Sequence, residues 1–290
     1  PEVIIERLAG IATELGEGPL WDVAGQCLWF VDIMCGHVHR FAPATGADRV
    51  YEIGQPVGAV ALRERGDMLC AVRDGFASLD VDTGAVAMIA AVEADNPRTR
   101  MNDGAVDAMG RFWAGTMSMH REREQGALYR LDPDGTVTRH LTGVTTSNGI
   151  DWSGDNTRMF YIDTGRPQID VFDFDLIRGE LANRRVFVTI DPAEGKPDGL
   201  VLDAEDHVWV ALWGGAKVIQ FAPDGTRVRE IALSAPRTTK PAFGGPDLTD
   251  LFVTSAWINM TPEERTAAPD SGSLFRCREV GTGRPPHRAR

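Results

Sequence analysis

A repeat of hairpin-forming segments, spaced 40 to 49 residues apart, is the feature that most limits what this 290-residue chain can fold into. Each copy contains a short apolar run, a polar turn and a second run that opens with an aromatic or large apolar residue. The six opening residues are Trp29, Leu69, Phe112, Phe160, Trp209 and Phe252. This spacing is typical of four-stranded propeller blades, whereas an irregular β-sandwich has no reason to repeat at blade length. The sequence therefore predicts an all-β, six-bladed β-propeller with antiparallel blades around a central channel.

The two ends of the chain are expected to differ in structure. The last unit is one strand short, and residues 3–8 form an apolar stretch ahead of the first full unit, so we expect this stretch to complete the last blade and close the ring. Residues 1–280 are thus predicted to form one domain. The final segment, residues 281–290, offers no apolar side chains for a core, and we expect it to be a disordered tail.

Composition excludes some classes of partner. The formal net charge is −12 and the basic residues are scattered, which argues against a nucleic-acid-binding surface. No apolar run approaches the length of a membrane span. The four cysteines lack CxxC spacing and are interpreted as free thiols, which suits a reducing cytoplasm. We expect a cytoplasmic monomer or weak homodimer that acts on a small molecule.

Polar residues recur at one phase of the repeat, ten to twelve residues before each opening residue. They are Glu17, Asn102, Asn148 and Asp198, and the remaining two positions hold Val57-Gly58 and Lys240-Pro241. Each alone is ordinary turn chemistry. Because the innermost strands of all blades start at the same mouth of the channel, these side chains should converge there, and converging carboxylates need a cation.

The chemistry of these side chains indicates which ion they would hold. Oxygen ligands from Glu17, Asn148 and Asp198 suit one hard divalent ion. We expect Ca²⁺ first, and Zn²⁺, Mn²⁺, Mg²⁺ and Fe²⁺ stay open. The chain contains no HExxH, GxSxG or P-loop motif. His120, which follows a strand whose hairpin begins at Asn102, is placed either over the channel mouth or simply in solvent.

Long motifs in the chain resemble those of the senescence-marker-protein/gluconolactonase, or regucalcin-like, family of sugar lactonases. The similarity extends over nearly the whole chain and includes LGEGPLWD, RMNDGAVDAMGRFWAGTM, SNGIDWS and KPDGLVLD. The resemblance implies a six-bladed propeller with one divalent metal on Glu17, Asn148 and Asp198. It also implies that Arg100 and Asn102 contact the substrate. The sequence departs from the animal regucalcins at His120, where a glutamate is expected, and this leaves the sugar undetermined.

The leading hypothesis is a divalent-metal-dependent lactonase that hydrolyses a sugar (aldono-) lactone to the open aldonic acid. Asp198 is the candidate general base, and Glu17 is the alternative for that role. Arg100, Asn102 and His120 are the candidate substrate-binding residues. Met117, Trp213 and Phe243 are expected to form apolar walls. The alternative function is a calcium- or ligand-binding propeller without turnover.

Overall fold

The computed structural model describes residues 3–290, which form six four-stranded antiparallel sheets arranged as the blades of a ring. The predicted six-bladed β-propeller is therefore confirmed. Within each of the first five blades the strands follow one another in chain order from the channel outward.

The strands of the first three blades are short and joined by tight turns. Strand β1 (Ile5–Leu8) comes first in the chain and belongs to the sixth blade. Blade one contains β2 (Gly16–Asp22), β3 (Cys27–Asp32), β4 (His37–Ala42) and β5 (Ala47–Glu52). Blade two contains β6 (Val57–Leu62), β7 (Met68–Val72), β8 (Gly75–Leu79) and β9 (Val86–Ala91). Blade three contains β10 (Thr99–Val106), β11 (Phe112–Ser118), β12 (Gly126–Leu131) and β13 (Val137–Val144).

The second half of the ring repeats this arrangement and adds two short helices. Blade four contains β14 (Ser147–Trp152), β15 (Arg158–Asp163), β16 (Gln168–Asp175) and β17 (Glu180–Thr189). Blade five contains β18 (Lys196–Leu202), β19 (Val208–Trp213), β20 (Lys217–Phe221) and β21 (Arg227–Ala232). Blade six contains β22 (Thr238–Gly244), β23 (Asp250–Ser255) and β24 (Leu274–Cys277), together with β1. The helices are a 3-10 turn at Pro192–Glu194 and α1 at Pro262–Ala267. Neither of these, nor any other helix within residues 3–290, has the length and apolar character of a membrane span.

Strand β1 joins the two ends of the ring. It pairs antiparallel with β24, from Ile5 opposite Cys277 to Leu8 opposite Leu274. The expectation that the N-terminal segment completes the last blade is confirmed. Closing the sheet this way ties the first part of the chain to the last blade, so blade six cannot form until both ends of the chain are present.

The residues that reveal the repeat in the sequence form the packing between blades. The residue that opens each second strand is at most 3 % exposed in all six blades. In two blades an aspartate in the hairpin turn also satisfies the buried indole. Asp107 Oδ2 accepts from Trp113 Nε1 at 2.8 Å, and Asp203 Oδ2 accepts from Trp209 Nε1 at 2.9 Å. The repeat is therefore visible because each blade must present a large apolar face to its neighbour.

Each innermost strand carries a break in register near its start. The breaks fall between Glu17 and Leu20, Val57 and Ala59, Met101 and Gly104, Ser147 and Ile150, Pro197 and Leu200, and Thr238 and Pro241. A bulge releases one or two residues from the sheet ladder and re-aims their side chains. The six bulges thus lie at one level of the ring, and in four of them the released residues include polar side chains: Asn102 and Asp103, Asn148, Asp198, and Thr239 and Lys240.

The last ten residues differ from the expectation of a disordered tail. They cross the mouth of the channel opposite the bulges, where Gly283 N–H donates to Leu248 O at 2.8 Å and Ala289 N–H donates to Leu62 O at 2.8 Å. Ala289 is completely buried. The arginines of the tail pair with acidic groups from different blades, as in Arg288 with Asp22 at 2.9 Å. A low apolar content was a poor guide here because the tail is held by ion pairs and backbone hydrogen bonds.

Candidate functional site

The polar residues predicted to converge are buried together at the bulged mouth. Glu17, Asn102, Asn148 and Asp198 are 3 to 5 % exposed. The Asp198 carboxyl lies next to both Glu17 and Asn148, whose side chains shift its pKa. The three predicted ligands, which come from blades one, four and five, are therefore neighbours in space although they are up to 181 positions apart in sequence.

A short hydrogen-bond relay orients the amide of Asn148. Thr164 Oγ1 donates its only proton to Pro197 O at 2.8 Å, so it must accept from Asn148 Nδ2, also at 2.8 Å. This contact leaves Asn148 Oδ1 buried without a hydrogen-bond partner among residues 3–290. Asp198 Oδ1 is likewise buried and has no partner in the described part of the chain. Two unsatisfied oxygens side by side are costly unless a ligand meets them.

The surroundings of the two carboxyl groups in the site raise their pKa values. Burial, and after it the charge of Asp103, raises the pKa of the Glu17 carboxyl to about 7. Burial, followed by the charge of Glu17, raises the pKa of Asp198 as well. Both ionised carboxylates are disfavoured because neither has enough donors around it. A bound divalent cation would supply positive charge that stabilises both ionised carboxylates.

The residues present therefore fit a hard divalent ion bound by Glu17, Asn148 and Asp198. The donors are two carboxylates and one amide oxygen, the oxygen-rich set that such ions prefer. Across residues 3–290 no group of three or more His, Cys, Asp or Glu side chains is placed to hold a metal. The proposed ligand set contains only two acidic side chains, so its fit to a divalent ion depends on the amide oxygen of Asn148 as the third ligand.

Arg100 stands beside these groups with free donors. Its Nη1 donates to Asn102 Oδ1 at 2.8 Å and to Met101 O at 2.9 Å, and within the described part of the chain Nε and Nη2 have no partner. Burial lowers the pKa of Arg100 to about 10, while the charges of Glu17 and Asp198 oppose this shift. The guanidinium thus stays charged at neutral pH and can offer two donors to a ligand.

Asn102 is held in place from the neighbouring blade. Its Nδ2 donates to Ser147 O at 2.7 Å while its Oδ1 receives Arg100. Asn102 therefore links blade three to blade four and supports the Arg100 side chain. One of its two amide protons remains for a ligand.

His120 lies on the rim of the mouth. It is exposed, and its backbone N–H donates to Ser118 Oγ at 3.1 Å. Because Ser118 pairs with Thr99, the loop that follows β11 stands at the same end of the ring as Arg100. Its proposed contact with substrate stays a prediction.

The apolar walls expected from the sequence are only partly at this mouth. Met117 pairs with Arg100 across β10 and β11, and the ring of Trp213 lies under Arg237 at 5.3 Å. Phe243, in contrast, lies near the opposite mouth, where its ring packs against Trp209 at 5.6 Å. Its placement in the substrate wall was wrong because β22 runs away from the site and Phe243 is near its far end.

Two charged residues of the site were not assigned a role from the sequence. Lys240 Nζ is 2.5 Å from Asp103 Oδ1, and both side chains are buried. Lys240 stands at the repeat position of the sixth blade, and Asp103 directly follows the repeat position of the third, so the repeat pattern pointed to both residues. The sequence did not predict a role for Asp103 because two consecutive residues, Asn102 and Asp103, reach the channel only where a bulge interrupts the strand.

The comparisons with known proteins agree with this architecture. Residues 15–257 match the family model described as SMP-30/Gluconolactonase/LRE-like region. A regucalcin from Gallus gallus is 38% identical over 292 residues, which cover 98% of this chain and 98% of that protein. The structure of a calcium-binding protein, regucalcin, from Agrobacterium tumefaciens has a TM-score of 0.96 and 31% identity, covering 99% of this chain and 98% of that one. The structure of a luciferin-regenerating enzyme has a TM-score of 0.93 and 28% identity, with 100% of both chains covered.

Proposed function

Because this chain belongs to the SMP-30/gluconolactonase/LRE-like family, we propose that it is a divalent-metal-dependent lactonase that opens a sugar lactone to its aldonic acid. The observation that carries the proposal is the pair of buried, unpartnered oxygens, Asn148 Oδ1 and Asp198 Oδ1, next to Glu17. The free donors of Arg100 beside them suit a polyhydroxylated substrate.

Glu17, Asn148 and Asp198 would hold the ion, with Ca²⁺ as the first candidate. When bound, such an ion supplies Lewis-acid polarisation of the ester carbonyl. Arg100 and Asn102 bind and orient the sugar hydroxyls, and His120 contacts the substrate from the rim. These contacts fix the lactone carbonyl above the three proposed ligands.

Asp198 supplies the proton transfers in this proposal. It accepts a proton from the water whose oxygen forms a bond to the lactone carbonyl carbon. The bond between that carbon and the ring oxygen then breaks, and Asp198 returns the proton to the departing ring oxygen. Burial raises the pKa of Asp198 in the metal-free site, and coordination to the ion would lower it, so Asp198 would accept the proton as a bound ligand. Glu17, which lies beside it, is the alternative base.

A panel of aldonolactones assayed with a pH indicator tests the proposal. Each substrate is run on the purified protein, on the protein stripped with EDTA, and on the stripped protein refilled with Ca²⁺, Mn²⁺, Mg²⁺ or Zn²⁺. We expect turnover of at least one lactone that is lost with EDTA and restored by refilling. Turnover that survives complete metal removal would contradict the metal-dependent mechanism.

The rival function is a calcium- or ligand-binding propeller without turnover, and it is favoured by the naming of the Agrobacterium tumefaciens relative as a calcium-binding protein. In that case metal removal should lower the melting temperature while no lactone is hydrolysed in any metal state. The same panel, run beside a thermal-denaturation series, therefore separates the two functions.

We also propose that the protein acts in the cytoplasm as a monomer or weak homodimer. The support is its four free cysteines, three buried and one, Cys35, exposed. A protein that kept such thiols in an oxidising compartment would risk pairing through Cys35. Size-exclusion chromatography with and without reductant tests both parts: a stable oligomer in the presence of reductant would contradict the monomer or weak homodimer, and a chain that forms no disulfide-linked dimer under mild oxidation would remove the argument for the cytoplasm.

A further inference from the structure

The ion pair between Asp103 and Lys240 crosses the channel. Asp103 belongs to blade three and Lys240 to blade six, which stand on opposite sides of a six-bladed ring. Asp103 Oδ1 receives Lys240 Nζ at 2.5 Å and its neighbour's backbone N–H, from Gly104, at 2.7 Å. We call this pair, Asp103 with Lys240, the crossbar.

The stem of Lys240 reaches the crossbar by passing beside the strand that carries Asp198. A Cβ atom built on Gly199 would lie 2.4 Å from both Cβ and Cγ of Lys240, so any side chain at this position would collide with it. The glycine that follows Asp198 thus makes room for the lysine. The crossbar and the proposed metal ligand are therefore parts of one packed unit.

The crossbar also bounds the site on the side away from the bulged mouth. A cavity of about 180 Å³ fills the channel beyond it and extends to the tail at Pro286. Lys240 and Gly104 line this cavity, whereas Glu17, Asn148 and Asp198 do not. The buried region around the proposed ligands, the chamber, thus lies outside this cavity, whose lining mixes apolar residues with polar ones such as Asp151 and Arg284.

One oxygen of Asp103 is unused. Its Oδ2 is buried and has no hydrogen-bond partner within the residues that the structure describes, although Glu17 and Asp198 are near enough for its charge to raise their pKa values. As placed within residues 3–290, Asp103 does not form a three-carboxylate metal site with Glu17 and Asp198, but it would become an additional oxygen ligand if it turned toward an ion bound by them. Its other oxygen is held by Lys240 and by the backbone N–H of Gly104.

We propose that Lys240 is a positioning residue that keeps Asp103 out of the metal-ligand set and so leaves a place on the ion for the substrate. This inference rests on the proposed metal site and deepens it. The ammonium offsets the charge of Asp103, so the chamber has the net charge of two carboxylates and Arg100 rather than of three carboxylates and Arg100. Without Lys240, Asp103 would turn to the ion and compete with the lactone.

Three variants test this assignment by isothermal titration with Ca²⁺ and Mn²⁺. Lys240→Met keeps the length of the side chain without its charge, and its metal dissociation constant should fall at least about tenfold, because an uncompensated carboxylate attracts the ion. Asp103→Asn leaves a lone ammonium, and its dissociation constant should rise by at least about tenfold. The double variant removes both charges and should return close to the wild-type affinity.

The turnover of metal-saturated protein gives a second readout. In Lys240→Met the KM for the lactone should rise more than kcat falls, since Asp103 then competes with the substrate for the ion. Lys240→Arg, which keeps the charge, should preserve the wild-type metal affinity. If Lys240→Met does not fold, the comparison of Asp103→Asn with the double variant decides the question.

An unchanged or weaker metal affinity in folded Lys240→Met, or an unchanged affinity in Asp103→Asn, would overturn the role of Lys240. A wild-type protein that binds metal but hydrolyses no lactone would refute the proposed function and leave the affinity test of the crossbar intact. A wild-type protein that binds no divalent ion would overturn both.

Discussion

At the scale of single residues, Asp198 combines two proposed tasks that one substitution separates. Asp198→Asn keeps the size and one coordinating oxygen and removes the charge and nearly all the basicity. We expect weaker metal affinity, and a kcat that stays roughly 10²- to 10⁴-fold low even at saturating metal, the usual size of a general-base contribution. Metal titrations followed by lactone kinetics measure both quantities.

The control for this substitution is Asn148→Asp, which changes a proposed ligand without touching the proposed base. It should add negative charge and tighten metal binding. A near-normal kcat for metal-saturated Asp198→Asn would remove Asp198 from proton transfer and leave Glu17 as the residue to test next.

The raised pKa of Glu17 predicts how metal-free protein responds to pH. A carboxyl whose pKa rises from 4.5 to about 7 on folding binds more protons in the folded than in the unfolded state, so its ionisation lowers stability as pH rises between these values. The melting temperature of EDTA-treated protein should therefore fall from pH 5 to pH 7. In Glu17→Gln this decline should become shallower, with the contributions of the other groups with raised pKa, Asp198 and Asp151, left.

The same carboxyls make metal binding pH-dependent in the opposite direction. Protons and the ion compete for Glu17 and Asp198, so metal affinity should increase as pH rises through about 7. Calorimetry in two buffers of different ionisation enthalpy would measure the protons released. If the melting temperature of metal-free wild-type protein varied with pH in parallel with that of Glu17→Gln, the raised pKa of Glu17 would be contradicted.

At the scale of elements, the C-terminal tail, residues 281–290, crosses the far mouth of the channel and contacts several blades. Arg284 pairs with Asp206, and Arg290 pairs with Glu64 at 3.2 Å. Removing residues 284–290 deletes these pairs and the backbone hydrogen bonds of Ala289. We expect a loss of about 1–3 kcal/mol in the free energy of unfolding, because exposed ion pairs contribute little and the hydrogen bonds contribute more.

The triple substitution Arg284→Gln, Arg288→Gln and Arg290→Gln is the matched control, since it removes the charges and keeps the backbone. It should cost less than the truncation in urea denaturation. Metal affinity should be the same in both variants because the ligands stand at the other mouth. If the truncated chain had the free energy of unfolding of the full chain, the tail contacts would contribute nothing to stability.

At the scale of the whole molecule, the ring is stabilised by packing between blades, and the metal site adds to a fold that exists without it. EDTA treatment should leave the circular dichroism of a β protein unchanged. Ion at 100 times its dissociation constant should add about 2.7 kcal/mol to the free energy of unfolding. Differential scanning calorimetry measures the corresponding rise in melting temperature.

Glu17→Ala is the control for this effect, since it removes the carboxyl group of a proposed ligand and keeps the backbone of β2. Its melting temperature should not respond to added ion. A full thermal response in Glu17→Ala would refute the assignment of this ligand, and a loss of β structure on EDTA treatment would mean that the metal holds the ring together.

The sequence by itself determined the number of blades and the level at which the polar residues meet. Large apolar residues such as Trp209 recur because every blade must bury the same face, and Glu17, Asn148 and Asp198 recur because every inner strand starts at the same mouth. Only the tertiary structure decided which neighbours these side chains have. The crossbar joins residues 137 positions apart, and the tail finds its acids on separate blades, because closing a ring brings together groups that no local pattern relates.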